Sequence, residues 1–421
     1  MSVGALQLKR LLAGIRQEEK RSDDTLHLTA YENRLSKLAQ SALSSNLSFR
    51  QHEGTLEEHD ATEVLIHGSF MLMGLPGVYA LEREARDATQ HMFHAATSDF
   101  RPTSGLHAML CTLLAATKPG DVVYSIDPVN GGHFASRHVL TLMGRKSMYI
   151  PWSNTELTID MDAFAKAVKL CPPQAVFFEY GTPLFNLPVQ AVRSLVGEEP
   201  MLIYDASHTL GLIAGGLFQD PLREGCNILQ GNMHKTFPGP QKGMIHYRDK
   251  EEGTRLSEVI TAGLVSNQHA HHSIAAYITA LEMREYAKPY ARQIVRNAQA
   301  LAANLAAYGF DLVSRNGEYT TSHQVVMRGE DMDDKCRRLF ASGMSANARY
   351  AYGQRVVRFG VQEVTRRGMK EPEMERIAAL IKNIILDNAP IELIRKEVLC
   401  LNQSYKNIEY SFDREFGLDQ A

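Results

Sequence analysis

The chain has 421 residues, 44% of them hydrophobic and 22% charged, and its 45 basic and 48 acidic residues give a net charge of −3. These are ordinary globular values for a chain long enough to form two or three domains, and they exclude the basic footprint of a nucleic-acid binder. Cysteines 111, 171, 226, 336 and 400 show no C-x-x-C spacing, which argues against a zinc site or disulfide framework and for reduced thiols in the cytoplasm.

The chain opens on a helical pattern over residues 4–20, with Leu8, Leu11, Leu12 and Ile15 on one face and no signal-peptide signature. The longest apolar stretches, such as Phe70–Leu75, are too short to span a membrane. The middle of the chain then alternates. Val122–Ile126, Ser147–Pro151, Ala175–Phe178, Met201–Tyr204 and Met244–Tyr247 read as strands, with helical patterns such as Met161–Leu170 and Val189–Val196 among them. This alternation predicts a largely parallel sheet covered on both faces, with ligands at the carboxyl ends of its strands. Beyond about residue 285 the texture changes. Tyr290–Tyr308 reads as one long helix, Asp311–Val313, His323–Met327 and Val356–Phe359 as strands, and Met374–Leu386 and Ile391–Leu401 as helices. The expected plan is an N-terminal arm (1–54), a large α/β domain (55–285) and a smaller α+β domain (286–421).

Two segments carry chemistry. Met201–Gly216 reads MLIYDASHTLGLIAGG and delivers Asp205 to a strand end. There a carboxylate is able to keep a pyridinium nitrogen protonated and make the ring an electron sink. His208, three residues on, is placed to orient that carboxylate, and the plain alternative is an Asp capping a helix. In Gly231–Gly243, GNMHKTFPGPQKG, Lys235 follows a strand and precedes a tight turn, which suits a Schiff-base lysine. Most lysines are solvated surface groups, but the two segments together point to a pyridoxal-phosphate (PLP) enzyme.

With these residues in view, nearly the whole chain resembles the serine hydroxymethyltransferase family. Leu28–Asn33 is similar to that family's early LIASEN motif, and Glu53 follows Glu32 at the family's acid–base spacing. Thr103-Ser104-Gly105 resembles its phosphate loop, Gly131-Gly132-His133 its ring-stacking histidine, and Asp205 with His208 its DMAH motif. His234-Lys235-Thr236 resembles HKT, Arg358 the carboxylate-gripping arginine, and Thr365–Gly368 a TRRG turn. The resemblance implies fold type I of the PLP-dependent transferases, with a mostly parallel seven-stranded sheet and a small α+β C-terminal domain. It also implies a homodimer with shared active sites. Carried over by residue, it makes Lys235, Glu53, His133 and Asp205 catalytic. It assigns Ser104, Gly105, His133, Asp205, His208, His234 and Lys235 to the cofactor, and Arg358, Tyr31 and Glu53 to the substrate. Each role is physically sound: a Ser-Gly turn at a helix start suits phosphate, and a guanidinium grips a carboxylate through paired hydrogen bonds. The bland readings are a helix cap for Ser104, a core histidine for His133 and a surface arginine for Arg358.

Three segments depart from that family. Thr55–Asp60 replaces a tyrosine-rich stretch, Ser345–Gln354 replaces a folate-binding loop, and Ser266–Ser273 (SNQHAHHS) replaces a glycine-rich segment near the phosphate. The pattern resembles instead the folate-independent L-threonine transaldolases, in Gly231-Asn232, Pro238–Gly243, Asn267-x-His269-Ala270, His323-Gln324-Val325, Gly360–Lys370 and Tyr410–Asp413. His269, His271 and His272 read as a site-lining loop rather than a metal site, because neighbours two apart do not share a helix face. The expected activity is a PLP-dependent aldolase or transaldolase. It would act on L-threonine or another β-hydroxy amino acid and form a glycyl carbanion that adds to an acceptor aldehyde. The alternatives are folate-dependent serine hydroxymethyltransfer, another PLP reaction such as transamination or decarboxylation, and a non-catalytic scaffold, since one fold hosts many chemistries.

Overall fold

The computed structural model describes residues 2–53, 64–67 and 70–418. Seven strands form the central sheet: β1 Thr97–Asp99, β2 Val122–Ser125, β3 Lys146–Tyr149, β4 Ala175–Glu179, β5 Met201–Asp205, β6 Ile228–His234 and β7 Pro238–Tyr247. Their order is β1-β7-β6-β5-β4-β2-β3. The five strands from β6 to β3 run parallel, and β7 is antiparallel to both β6 and β1. The apolar runs Ala175–Phe178 and Leu202–Tyr204 are buried along their whole length, as strands covered on both faces must be. Neighbouring parallel strands place their carboxyl ends together, so Glu179 and Asp205 leave the sheet side by side, and the His234-Lys235 pair follows at the same end, beyond Gln230, the register partner of Asp205.

The later part of the chain forms a three-stranded antiparallel sheet: β8 Gln324–Arg328, β9 Asn347–Ala351 and β10 Gln354–Gly360, in the order β8-β10-β9. Five helices frame the site and its surroundings: α1 Val3–Asp24, α2 Gly105–Ala116, α3 Ala270–Ala307, α4 Glu371–Ile385 and α5 Ile391–Gln403. One continuous apolar cluster runs from Leu202 and Tyr204 through Tyr290 and Ile294 of α3 to Val326 and Val357 of the smaller sheet.

Several sequence expectations shift. The long helix starts at Ala270 rather than Tyr290 and contains Pro289, so the expected division at 285/286 falls inside it. Asp311–Val313 is not a strand; only a single bridge joins Leu312 to Met327. Residues 4–20 are helical as expected, but α1 buries none of its residues, and Leu8, Leu11, Leu12 and Ile15 stay exposed. No helix among the described residues is long and apolar enough to cross a membrane, and no described group of three or more His, Cys, Asp or Glu side chains is placed to hold a metal ion.

Candidate active site

Asp205 ends β5. Its carboxylate accepts hydrogen bonds from the Ser207 N–H at 2.9 Å and the Gln230 side-chain amide at 2.9 Å. Gln230 sits directly opposite Asp205 on β6, and its amide oxygen accepts from the Thr112 hydroxyl. Among the described residues His208 is not one of the Asp205 carboxylate's hydrogen-bond partners. The turn after Ala206 carries His208 away, and its Nδ1 takes the Gln324 amide at 3.2 Å. Its ring stacks on His323 at 5.8 Å between centroids. Burial, with Lys235 and Arg358 nearby, pushes the His208 imidazole well below its usual range, which favours the neutral ring.

Lys235 follows β6 and is buried. Its amine makes no ion pair or hydrogen bond among the described residues, and desolvation draws its pKa down to about 8, against the opposing pull of Asp205. Its position is fixed through the backbone. The Asn33 amide donates to the Lys235 carbonyl, and the Thr236 hydroxyl donates to the His208 carbonyl at 2.8 Å and accepts from the Gly211 N–H at 3.0 Å. A Cβ on Gly211 would lie 2.1 Å from the Thr236 carbonyl oxygen, so the loop bearing Asp205 rests backbone to backbone on the loop bearing Lys235. A second lysine, Lys242 on β7, is also buried and also drawn to about 8 by desolvation. It donates to the Gln268 carbonyl at 3.1 Å.

Arg358 of β10 donates from Nε to Asn347 Oδ1 at 2.9 Å and from Nη1 to the Gly181 carbonyl at 2.5 Å. It faces the ring of Tyr31 at 5.6 Å. No carboxylate pairs with it among the described residues, and burial beside Arg349 lowers its pKa to about 9. A buried guanidinium without an acidic partner calls for an anion.

Ser104 caps α2, accepting from the His107 N–H at 3.0 Å, and the Gly105 N–H donates to Asn232 Oδ1 at 2.7 Å. A Cβ on Gly105 would overlap Asn232, and one on Gly243 would lie 2.4 Å from the Ser104 carbonyl. The helix start therefore packs directly on the end of β6, where helix amides favour phosphate. His234 and Thr182 each carry a buried polar atom, Nδ1 and Oγ1, without a partner among the described residues. Burial and Lys235 depress the His234 pKa to about 4. His133 is 41% exposed, and its Nδ1 lies 3.2 Å from Glu179 Oε1. Burial, set against Asp205, lowers its pKa.

Glu53 is not brought to this cluster. It accepts from the Gln51 amide at 2.8 Å, its backbone carbonyl accepts from Tyr79, and Gln51 is tied to Ser266 and Asn267. Thr55–Asp60 lies outside the described residues. The sequence reading missed Gln230, Glu179 and Arg349. Glu179 carries the same signal as Asp205, an acid ending a wholly apolar strand, whereas the strand reading stopped at Phe178.

A free buried amine, a fixed carboxylate on the adjacent strand, an arginine with no carboxylate partner among the described residues and a helix N-terminus beside the end of β6 fit PLP and an amino acid together. Fold and site define a fold-type-I PLP enzyme. A family model described as serine hydroxymethyltransferase matches residues 7–381, and the chain belongs to that family. It is 35% identical over 403 residues to a fluorothreonine transaldolase of Streptantibioticus cattleyicolor, covering 95% of this chain and 63% of that protein's length. It is 34% identical to the serine hydroxymethyltransferase of Methanosphaera stadtmanae, covering 93% of this chain and 92% of that one. The L-threonine transaldolase of Pseudomonas fluorescens, solved in its internal aldimine state, superposes with a TM-score of 0.91 at 30% identity, covering 98% of this chain and 95% of that one.

Proposed function

We propose that the protein is a folate-independent transaldolase. It takes L-threonine or another β-hydroxy amino acid, releases the aldehyde, and joins the glycyl unit to a second aldehyde. The observation that carries this reading is the segment before Arg358. Ser345–Gln354 folds as a closed hairpin, β9 to β10, turned through Tyr352 and Gly353. The Tyr352 hydroxyl donates to the Thr182 carbonyl at 2.5 Å, and Arg349 donates to the Gly132 carbonyl at 2.8 Å. The hairpin thus lies against the cofactor side of the site, in the place where the larger family's resemblance implies a folate loop. The likeness to two transaldolases supports the same reading.

PLP, when bound, supplies the electron sink that lets the Cα–Cβ bond break. The protein's part is positional. Lys235 offers the amine for the cofactor carbonyl, and Asp205 offers the charge opposite a ring nitrogen. Ser104 and Gly105 offer the phosphate seat, and Arg358 with Tyr31 holds the substrate carboxylate. A homodimer is part of the proposal: Glu53 of one subunit completes the site of the other, which accounts for its distance from Lys235 within one chain. The exposed apolar face of α1 supports an interface, and five free cysteines support a reducing, cytoplasmic setting.

Incubation with L-threonine and a panel of aldehydes, without folate, tests this. Acetaldehyde is expected to appear and new β-hydroxy amino acids to form, while tetrahydrofolate neither binds tightly nor speeds serine turnover. Efficient folate-dependent conversion of serine to glycine, the reading that the Methanosphaera relative favours, would overturn it.

A further inference from the structure

Glu179 is a buried acid with no assigned role. It ends β4 directly opposite Asp205 on β5. Its Oε2 accepts the Ser136 hydroxyl, and its Oε1 lies 3.2 Å from His133 Nδ1. The backbone fixes this spacing. Gly132 bridges to Tyr180, and the Gly181 and Thr182 N–H groups both donate to the Gly131 carbonyl, at 2.9 and 3.1 Å. A Cβ on Gly132 would meet the Ile126 carbonyl oxygen at 2.1 Å.

His133 Nδ1 lies 3.3 Å from the Ala135 nitrogen and 3.2 Å from Glu179 Oε1, and Glu179 is the acid beside it that can take or return a proton. Asp205, Lys235 and Arg349 are the charged groups that face both partners. Burial and the Asp205 charge hold the Glu179 carboxyl well above the usual carboxylate range, against the pull of Lys235 and Arg349. His133 Nε2 has no partner among the described residues, and the ring is partly open.

We propose that Glu179 and His133 form a proton relay that stores the donor's hydroxyl proton and returns it to the product. This rests on the transaldolase reading. In the first half, Glu179 is a carboxylate and the imidazole carries its proton on Nδ1. The β-hydroxyl proton moves to Nε2 while the Nδ1 proton moves to Glu179 Oε1. The O–H electron pair becomes the new C=O bond, and the Cα–Cβ pair stays on Cα as the aldehyde leaves. In the second half, that pair forms the bond to the acceptor aldehyde. The acceptor oxygen takes the Nε2 proton, and Glu179 returns its proton to Nδ1. Protons balance over the cycle without exchange with water.

Glu179→Gln tests it, because the amide keeps both hydrogen bonds but has no mobile proton. The wild type is first required to exchange threonine for aldehyde; if it does not, the transaldolase reading fails before the relay is judged. Given exchange, the variant is expected to lose about 10²–10³-fold in kcat, the scale of an acid–base group, with the threonine KM within about 2-fold. Its pH–rate profile should lose the limb that the pair supplies. The pH titration of the bound cofactor's visible absorption should lose one step, a readout independent of turnover. Glu179→Gln combined with His133→Asn should be no slower than His133→Asn alone, since the two act in one path. A variant with wild-type kcat, pH profile and absorption titration, or losses that multiply in the double variant, would overturn the relay.

Discussion

Lys235 and Lys242 stand on either side of one turn, and both lose water. Each is buried, and each has its pKa drawn to about 8 by desolvation. What surrounds them differs. Lys242 spends its amine on the Gln268 carbonyl, and the nearby acids are already committed, Glu82 to Arg86 and Asp99 to Arg101. Lys235 has no such partner and looks toward Asp205, Glu179 and Arg358. A depressed lysine pKa therefore marks burial in both cases and reactivity in one. The deciding feature is the absence of a structural hydrogen bond at a strand end shared with a fixed carboxylate.

That contrast is breakable by substitution. Lys235→Ala is expected to abolish the borohydride-reducible linkage and to cut turnover by more than about 10³-fold, as loss of a nucleophile or acid–base group does. A reducible imine on the same peptide in that variant would move the assignment elsewhere. Asp205→Asn should keep the cofactor but slow turnover by about 10²–10³-fold, because an amide cannot stabilise a pyridinium charge. Unchanged turnover would remove Asp205 from the role. Arg358→Lys should raise the amino-acid KM by an amount worth about 1.5–3 kcal/mol, since an ammonium cannot reproduce the guanidinium fork.

Lys242→Met gives the smallest effect and sharpens the contrast most. It should keep the linkage and the activity. It should cost about 1–3 kcal/mol of stability by removing a charge-assisted hydrogen bond to the Gln268 carbonyl, which keeps the Ser273 hydroxyl at 3.0 Å. Its pH dependence has a fixed sign. A lysine depressed on folding binds fewer protons in the folded than in the unfolded state between about 8 and 10.5. Stability from this group therefore rises with pH across that window. Denaturant titrations of apo wild type and variant should diverge upward from pH 8, and parallel curves would mean Lys242 keeps an ordinary pKa.

Much of this was legible because strand ends announce themselves. Asp205 and Lys235 each follow an apolar run and precede a turn, and both lie where the parallel sheet puts ligands. Legibility failed where partners come across strands rather than along the chain. The support of Asp205 is Gln230, a register neighbour on β6, and no spacing within one segment shows it. His208, near in sequence, is turned away by the bend that follows Ala206. The first half of the long helix is hard to see in the sequence, because proline favours a helix's first turn, and here the helix runs through Pro289. Glu53 shows the limit of a motif: its spacing matches the family, yet a single chain ties it to Gln51 and Tyr79 rather than to Lys235.

The contact at Gly211 bears on how this enzyme evolves. With no side chain between the Asp205 loop and the Lys235 loop, their separation is set by backbone atoms and the Thr236 hydroxyl. Drift in the surrounding apolar residues repacks around that contact without changing its length. In a random mutagenesis library, active clones should therefore accumulate changes at Leu210, Leu212 and Phe237 well before any survive at Gly211, even with alanine. New acceptor preferences would then be selected at the rim while the reacting pair keeps its spacing.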